Sequence, residues 1–392
     1  MQMGLNRSER KTRVSQDKKA QTNRRGSFLT RRLSHDNNSA GSRADDKPKA
    51  VGSLLAAALL VGSLSTFPVT AAQADNSERI DRQVQALAAS VEAVSDALFV
   101  EGSNPIVTSR ELASTSSPMA EYISVLAAEA ASIQAVGGVT VLDTTAQIII
   151  DDTTADQDVS TGFLHVTRTV AELPEGELWE EMIPITLTSS GGALALTSVE
   201  LLPVERLDPT EVAARAATMP TEEGAASIDL SGPTTHAVQR INATAAVNYA
   251  KKWWNGRNPA YPTKYSNDCT NFASQAMHQG GWQPVSGFYQ SDKAWWYTGL
   301  TTSYSWGGAE NFYRFAVNES KRATTMRYVK DLWLGDILQY KARGATNMSH
   351  TMIVTNWINN VPYLTYHTSD TLNKPFTAIS HLDVTWFALN VL

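Results

Sequence analysis

The sequence predicts an α+β protein in two parts, each with helices followed by antiparallel strands. Apolar residues recur at helical spacing over 76–98, and strand-like runs fill 139–204. A second set of helical and strand-like segments follows residue 236. Of the ten tryptophans, only Trp179 lies before that point, so the composition changes there and indicates a domain boundary.

The first 74 residues are predicted to be an export leader and are left out of the fold. An apolar run over 51–61 is followed by Ala72-Gln73-Ala74, which is a small-x-small cleavage pattern. The run is short and diluted by Gly and Ser, so a cleaved signal peptide is favoured over a membrane anchor. A start placed too far upstream would equally explain the long basic region. We expect a secreted or cell-wall-associated protein without a stable membrane span after cleavage.

Charge is distributed unevenly between the leader and the rest of the chain. Residues 1–74 hold 13 basic and 5 acidic residues, whereas the remainder holds 20 basic and 34 acidic residues. An acidic surface disfavours non-specific binding to phosphate backbones. We therefore expect no nucleic-acid partner.

The first predicted domain, residues 75–205, carries no cluster of chemically active side chains. It has one histidine, His165, and no cysteine. Helices are predicted at 76–98 and 119–136, and strands at 139–151, 161–173, 179–189 and 193–204. Residues 206–235 are rich in Ala, Glu, Thr and Pro, which predicts a linker with a short helix at 209–218.

The second predicted domain, residues 236–392, carries the candidate chemistry. Helices are predicted at 243–254, at about 269–279 and at 310–318, and strands at 337–341, 350–358, 362–367 and 384–392. Most of its nine tryptophans are expected to be core residues, because large aromatic side chains dominate burial in small domains.

Cys269 is the single cysteine of the chain, so it forms no internal disulfide and is either a buried spectator or a reactive thiol. Asp268 is a good helix N-cap, Phe272 and Ala276 follow at helical spacing, and Gly280 supplies a stop. Cys269 would then lie in the first helical turn, where free N–H groups and the helix dipole stabilise a thiolate. We interpret Cys269 as a nucleophile.

A cysteine nucleophile needs a base, and His350 is the candidate. His278 is excluded, because nine residues along the same helix place it ~14 Å away. If residues 358 and 361 pair across a two-residue turn, His350 and His367 lie on one face of a hairpin. His367 would then orient His350, and Asp370 is the competing orienter. A register slip of one residue would place His367 on the opposite face.

Other polar residues have weaker assignments. The backbone N–H of Cys269 and a hydroxyl of Tyr265 or Tyr261 are candidate oxyanion donors, with packing as the alternative for the tyrosines. Asn271 and Gln275 are candidates for holding the loop before the helix, and His236 and His381 are assigned to the surface. No histidine pair has metal-ligand spacing, so no metal and no cofactor are expected.

Several motifs between 240 and 390 together resemble the bacterial "putative amidase domain" family. They are Asp268 to Gln275 (DCTNFASQ), Tyr249 to Trp254, Gly335 to Tyr340, His350 to Thr355 and Tyr366 to Thr371. That family is similar to the papain-like group that includes CHAP amidases and NlpC-type cell-wall endopeptidases. The resemblance implies a papain-like fold, with a nucleophile helix on a small antiparallel sheet. It also implies a site formed by Cys269 and His350, with His367 as the best match for a third member.

These observations predict a secreted cysteine hydrolase of amide bonds, acting on peptidoglycan through an acyl-enzyme. Two alternatives stay open at this point. One is a peptidase or transpeptidase that acts on protein, and the other is an inactive module that binds the cell wall through its aromatic residues.

Overall fold

The structure is a computed structural model that describes residues 76–99, 118–153, 159–190, 193–237, 240–262 and 267–392. The predicted leader, residues 1–74, lies outside these ranges, as does Tyr265. No described helix has both the length and the apolar character needed to cross a membrane.

Among the described residues before position 200, two helices and four strands follow one another in the predicted order. They are α1 (Asn76–Phe99), α2 (Pro118–Val136), β1 (Val141–Thr153), β2 (Val159–Val170), β3 (Trp179–Ser190) and β4 (Ala193–Val199). The predicted elements are confirmed, with ends moved by up to five residues. The stripe on α1 is buried at Val91 and Leu98, where it packs in a common core with Leu126 and Ile183.

The predicted linker contains helix α3 (Pro209–Ala216), and its start has a local cause. The side chain of Asp208 accepts a hydrogen bond from the N–H of Thr210, and Glu211 reaches back to the N–H of Asp208. This capping box satisfies N–H groups that the first helical turn would otherwise leave free. Val212 and Ile228 of this segment are buried against the sheet.

The second part of the chain contains five short helices and six strands. They are α4 (Ala243–Trp253), α5 (Cys269–Gln279), α6 (Tyr304–Gly307), α7 (Ala309–Tyr313), β5 (Ala323–Met326), β6 (Ile337–Ala342), β7 (His350–Ile358), β8 (Val361–Tyr366), β9 (Asp370–Pro375), α8 (Phe376–Ile379) and β10 (Val384–Val391). A π-helix (Arg314–Glu319) continues α7, and a single 3₁₀ turn (Val329–Asp331) precedes β6. The predicted helix α5 is confirmed at both ends.

All described strand pairs are antiparallel, in a ten-stranded sheet of order β1-β2-β3-β9-β8-β7-β6-β10-β5, with β4 paired to β3. The α+β class is therefore confirmed. Strand β9 had not been predicted, and it joins the two parts of the chain because it pairs with β8 on one side and with β3 on the other. The division into domains at 75–205, 206–235 and 236–392 stays a prediction.

At strand β7, a separate hydrophobic core packs against each face of the sheet. Met352 faces a cluster with Tyr340 and Tyr366, whereas Ile353 faces the cluster that contains Phe272 of α5. Five of the nine C-terminal tryptophan rings are buried, which confirms that most of them belong to the core. Helix α5 thus packs on one defined face of the sheet.

Four buried charged residues link β9 to the first part of the chain, and we call them the buried ionic cluster. Lys374 Nζ lies 2.6 Å from Glu129 Oε1 and 2.7 Å from Glu181 Oε1, and Arg168 Nη1 lies 2.7 Å from Glu181 Oε2. Burial alone would lower the pKa of Lys374, but the two carboxylates outweigh it and raise that pKa. The cluster combines two basic and two acidic side chains, and burial raises the pKa of Glu129 although Lys374 acts in the opposite direction.

Candidate active site

Cys269 is the first residue of α5, and its side chain lies within the protein. The residue is 5% exposed. Its Sγ lies 3.7 Å from Thr270 Oγ1, and the backbone N–H groups of Thr270 and Thr351 are directed at the sulfur. The predicted place in the first helical turn is confirmed, and the immediate surroundings of the sulfur are polar.

The expected low pKa of this thiol is wrong. Burial is the largest influence and raises the pKa of Cys269, while the hydrogen bonds from Thr270 and Thr351 act in the opposite direction. The helix terminus supplies N–H donors as predicted, but removal of the sulfur from water outweighs them. Cys269 is therefore a neutral thiol at neutral pH.

His350 opens β7 and is also buried, at 2% exposure. Its ring centroid lies 5.3 Å from that of Tyr340 and 5.0 Å from that of Tyr366. Burial lowers the pKa of His350 to about 3, so the imidazole is neutral at neutral pH. Its Nε2 has no hydrogen-bond partner among the described residues. The ring is thus unprotonated at neutral pH, and the same burial makes it a weak base.

The predicted register of the β7–β8 hairpin is confirmed at its turn, where Ile358 pairs with Val361. A bulge at residue 355 then shifts the ladder by one position, and Val354 pairs with Leu364. Thr355 lies in the bulge, where its hydroxyl bonds to the side chains of neighbouring strands, 2.7 Å from Thr365 Oγ1.

This shift separates the two histidines that the sequence had placed on one face. Beyond the bulge, the side chain of His367 points toward α5, where its ring stacks on Phe272 at a centroid distance of 3.8 Å. His350 instead packs on Tyr340 and Tyr366, which belong to the core on the other face. The predicted contact between His350 and His367 is therefore wrong.

Both ring nitrogens of His367 have partners of their own. Nδ1 lies 2.6 Å from Asp268 Oδ2, and Nε2 lies 2.8 Å from the backbone oxygen of Trp253. The competing orienter, Asp370, is paired with both terminal nitrogens of Arg257 at 2.9 Å. Neither predicted orienter contacts His350, because each is held in a hydrogen-bond network around Asp268.

The remaining predicted residues are placed as follows. Tyr265 lies outside the described residues, and the hydroxyl of Tyr261 bonds to His278 Nδ1 at 3.0 Å and accepts a hydrogen bond from Gln279 Nε2 at 3.0 Å. Packing is thus the better interpretation of Tyr261. Asn271 donates to the backbone oxygen of Pro262 at 3.1 Å, which confirms that it holds the segment before the helix. Gln275 accepts a hydrogen bond from Tyr249.

The assignment of His381 to the surface is wrong, whereas that of His236 is confirmed. His381 follows α8 and is 2% exposed. It lines a cavity of about 50 Å³ beside the buried ionic cluster. His236 is exposed, with its ring 4.4 Å from the Trp333 ring between centroids. A larger cavity, of about 480 Å³, lies between α3 and the β6–β7 hairpin, and neither cavity is lined by Cys269 or His350.

Sequence reasoning missed the residues that surround the sulfur from other elements. Thr351 reaches Cys269 from β7, and Arg257 reaches Asp268 with its Nε at 2.9 Å. Nothing in their local sequence marks these residues, because each reaches the site only through the fold. Within the described part of the chain, no group of three or more His, Cys, Asp or Glu side chains could hold a metal ion.

Comparison with known proteins supports the motif-based resemblance. Residues 240–389 match the family described as "Putative amidase domain". The chain is also similar to "Uncharacterized protein YhbB" of Bacillus subtilis (strain 168), with 36% identity over 128 residues, or 32% of this chain and 40% of that protein.

A second relative is "Uncharacterized protein YjcM" of the same strain, with 28% identity over 149 residues, or 36% of this chain and 34% of that protein. The chain thus spans less than half the length of these two relatives. No solved structure matches the chain. The matched segment contains Cys269, His350 and His367.

Proposed function

We propose, from the match of residues 240–389 to this amidase family, that the protein hydrolyses amide bonds with Cys269 as nucleophile and His350 as base. In this proposal the imidazole of His350 turns toward the sulfur from its packing on Tyr340 and Tyr366. The observation that carries the proposal is the position of the thiol. It lies at the first turn of α5 and receives backbone N–H hydrogen bonds from Thr270 and Thr351. The proposed base, His350, precedes Thr351 in β7, and burial keeps its ring neutral.

Both groups are neutral at rest, so the proposed reaction starts from a thiol and an unprotonated imidazole. The thiol of Cys269 attacks the amide carbonyl carbon while His350 takes the thiol proton, so the resting site holds no thiolate–imidazolium pair. His350 then protonates the leaving nitrogen as the C–N bond breaks. Water, deprotonated by His350, next attacks the acyl-enzyme and releases the acid and the free thiol. The backbone N–H of Cys269 is the proposed oxyanion donor.

The proposed substrate is peptidoglycan, at its stem peptides or at their amide links to muramic acid. Two considerations support this: the leader pattern predicts export, and the papain-like resemblance is to enzymes of the cell wall. The papain-like fold, the cysteine mechanism and secretion are all parts of this proposal. A peptidase or transpeptidase acting on protein is the alternative within the same chemistry.

Digestion of purified peptidoglycan tests the substrate, with the released fragments identified by mass spectrometry. We expect fragments that carry one new amine and one new carboxyl group, at a single type of amide bond. An unrelated folded protein treated in parallel reports cleavage of protein substrates. Cleavage of the protein alone, with intact peptidoglycan, would overturn the choice of substrate.

The pH dependence of the reaction follows from the low pKa of His350. A base with a pKa of about 3 remains unprotonated above that pH, so we expect kcat/KM to change by less than about twofold between pH 7 and pH 5. A histidine with an ordinary pKa near 6.5 would instead lose about 25-fold over this range. The measurement is the initial rate at each pH, with recovery of activity at pH 7 as the control for acid damage. An acid limb near pH 6.5 contradicts the buried neutral base.

An inactive wall-binding module is the second candidate, and one observation favours it. Phe288, Tyr289 and Tyr304 form an exposed aromatic cluster in which Phe288 is 64% exposed. Such rings suit stacking on sugars. Cosedimentation with peptidoglycan, without any released fragment, would support this candidate over the enzyme.

A further inference from the structure

Asp268 precedes the nucleophile and is 2% exposed, yet it does not act as the helix cap that its position predicts. Its side chain makes no capping hydrogen bond. Instead Oδ2 lies 2.6 Å from His367 Nδ1 and 2.9 Å from Arg257 Nε, and Oδ1 accepts from Asn271 Nδ2 at 2.7 Å. A carboxylate at a helix start usually bonds to the N–H groups of the first turn. Here Oδ1 is bound by a side chain of the same helix, Asn271, and Oδ2 by His367 and Arg257 from other segments.

These partners tie three segments to the start of α5. His367, which follows β8, also bonds to the last residue of α4 through the oxygen of Trp253. Arg257, which follows α4, is paired with Asp370 at the start of β9 by two bonds of 2.9 Å. Asp268 therefore lies at the centre of a network that joins α4, α5 and the β8–β9 turn.

Each polar side chain of this network has a hydrogen-bond partner. The two ring nitrogens of His367 lie within hydrogen-bond distance of a carboxylate oxygen and of a backbone oxygen. Arg257 donates to Asp268 from Nε and to Asp370 from its two terminal nitrogens. Every named polar group is engaged, which fixes the geometry more firmly than a single ion pair would.

We propose that Asp268 is a positioning residue, which holds the first turn of α5 so that Cys269 Sγ stays against the N–H of Thr351. This inference rests on the proposed function and gives His367 a structural role in place of orienting His350. Reaction rates depend steeply on placement, and a displacement of about 1 Å at a reacting group costs about 100-fold. The network controls the placement of the sulfur because Asp268 and Cys269 are adjacent in the chain.

The test is Asp268→Asn, which keeps the shape of the side chain and removes its charge. We expect kcat to fall by about 10- to 100-fold with KM within about twofold, because substrate contacts are unchanged. Alkylation of Cys269 by iodoacetamide should become at least about threefold faster. Loosening the first turn exposes the thiol, and burial is the largest influence on its pKa.

Asp208→Asn is the matched control, because Asp208 also precedes a helix but lies far along the chain in α3. It should leave both rates unchanged. The double variant Asp268→Asn/His367→Gln should lose less kcat than the product of the two single losses, since both remove the same contact. If Asp268→Asn does not fold, Asp370→Asn removes only the outer pair with Arg257 and should move both rates in the same directions by less.

The outcomes separate this inference from the proposed function. A lower melting temperature with unchanged kcat and unchanged alkylation overturns the positioning role. If the wild-type protein hydrolyses no amide, the proposed function fails, and the alkylation rates of the variants still decide whether Asp268 holds the thiol.

Discussion

Replacing Cys269 with alanine is expected to abolish amide hydrolysis, with a loss of at least about 10⁴-fold in kcat. The variant lacks the only atom proposed to attack the carbonyl carbon, and no second cysteine exists in the chain to replace it. The fold should survive, because the change removes one buried sulfur and costs on the order of 1 kcal/mol. Release of peptidoglycan fragments and a thermal melt by circular dichroism are the two measurements.

Two further measurements test the same role of Cys269. The wild-type protein should take up one equivalent of iodoacetamide and the Cys269→Ala variant none, because the chain has a single thiol. Cys269→Ser keeps a weaker nucleophile of similar size and should retain less than about 1% of the activity. Turnover that persists in purified Cys269→Ala protein rules out the cysteine mechanism, whatever the substrate.

Replacing Lys374 with methionine is expected to destabilise the protein by about 3–5 kcal/mol. Lys374 bonds to both Glu129 and Glu181 at 2.6 and 2.7 Å, and its removal leaves two buried carboxylates with one cation, Arg168, between them. The pKa of Glu181 is lowered despite its burial, because Lys374 and Arg168 hold its charged form. Urea unfolding followed by circular dichroism measures the change in free energy.

Lys341→Met is the matched control for this experiment. Lys341 pairs with Glu222 at the surface, where an ion pair contributes at most about 1 kcal/mol. Adding Glu129→Gln to Lys374→Met should recover part of the lost stability, since it removes one unpaired buried charge. Equal stability of the Lys374→Met and Lys341→Met variants would show that the buried ionic cluster does not stabilise the fold.

Helix α5 could be predicted from the sequence because its signals are local. Apolar residues such as Phe272 and Ala276 recur at helical spacing, and Gly280 follows the last turn. The place of Cys269 at the helix start depends only on these neighbours. The pKa of the thiol depends instead on burial by β7 and by the β8–β9 turn, so reasoning from the helix terminus alone gave the wrong direction.

The arrangement of the histidines could not be predicted, because it depends on one bulge. Nothing in the run from His350 to Ile358 marks residue 355 as a bulge, since the run has no glycine or proline. The bulge is accommodated by hydrogen bonds from Thr355 to Thr365 and Asn373 on neighbouring strands. A shift of one residue in the ladder reverses the face of every following side chain, so His367 lies on the face opposite the one predicted.

Strand β9 was missed for a related reason. Its sequence, Asp370 to Pro375, contains an asparagine with a positive φ of 52° and a proline, both typical of turns. The strand forms because β8 and β3 flank it on both sides and because Lys374 finds its two carboxylates there. Tertiary contacts thus override a local preference for a turn.

The pairing of β3 with β9 has a practical consequence for the production of fragments of this protein. A fragment cut at residue 240, where the family match begins, would strip β9 of one neighbour and leave its backbone N–H and C=O groups open along a new border. Exposed edge strands pair with other chains, so we expect such a fragment to aggregate in solution. A fragment that begins near residue 76 keeps β3 beside β9 and so covers this edge.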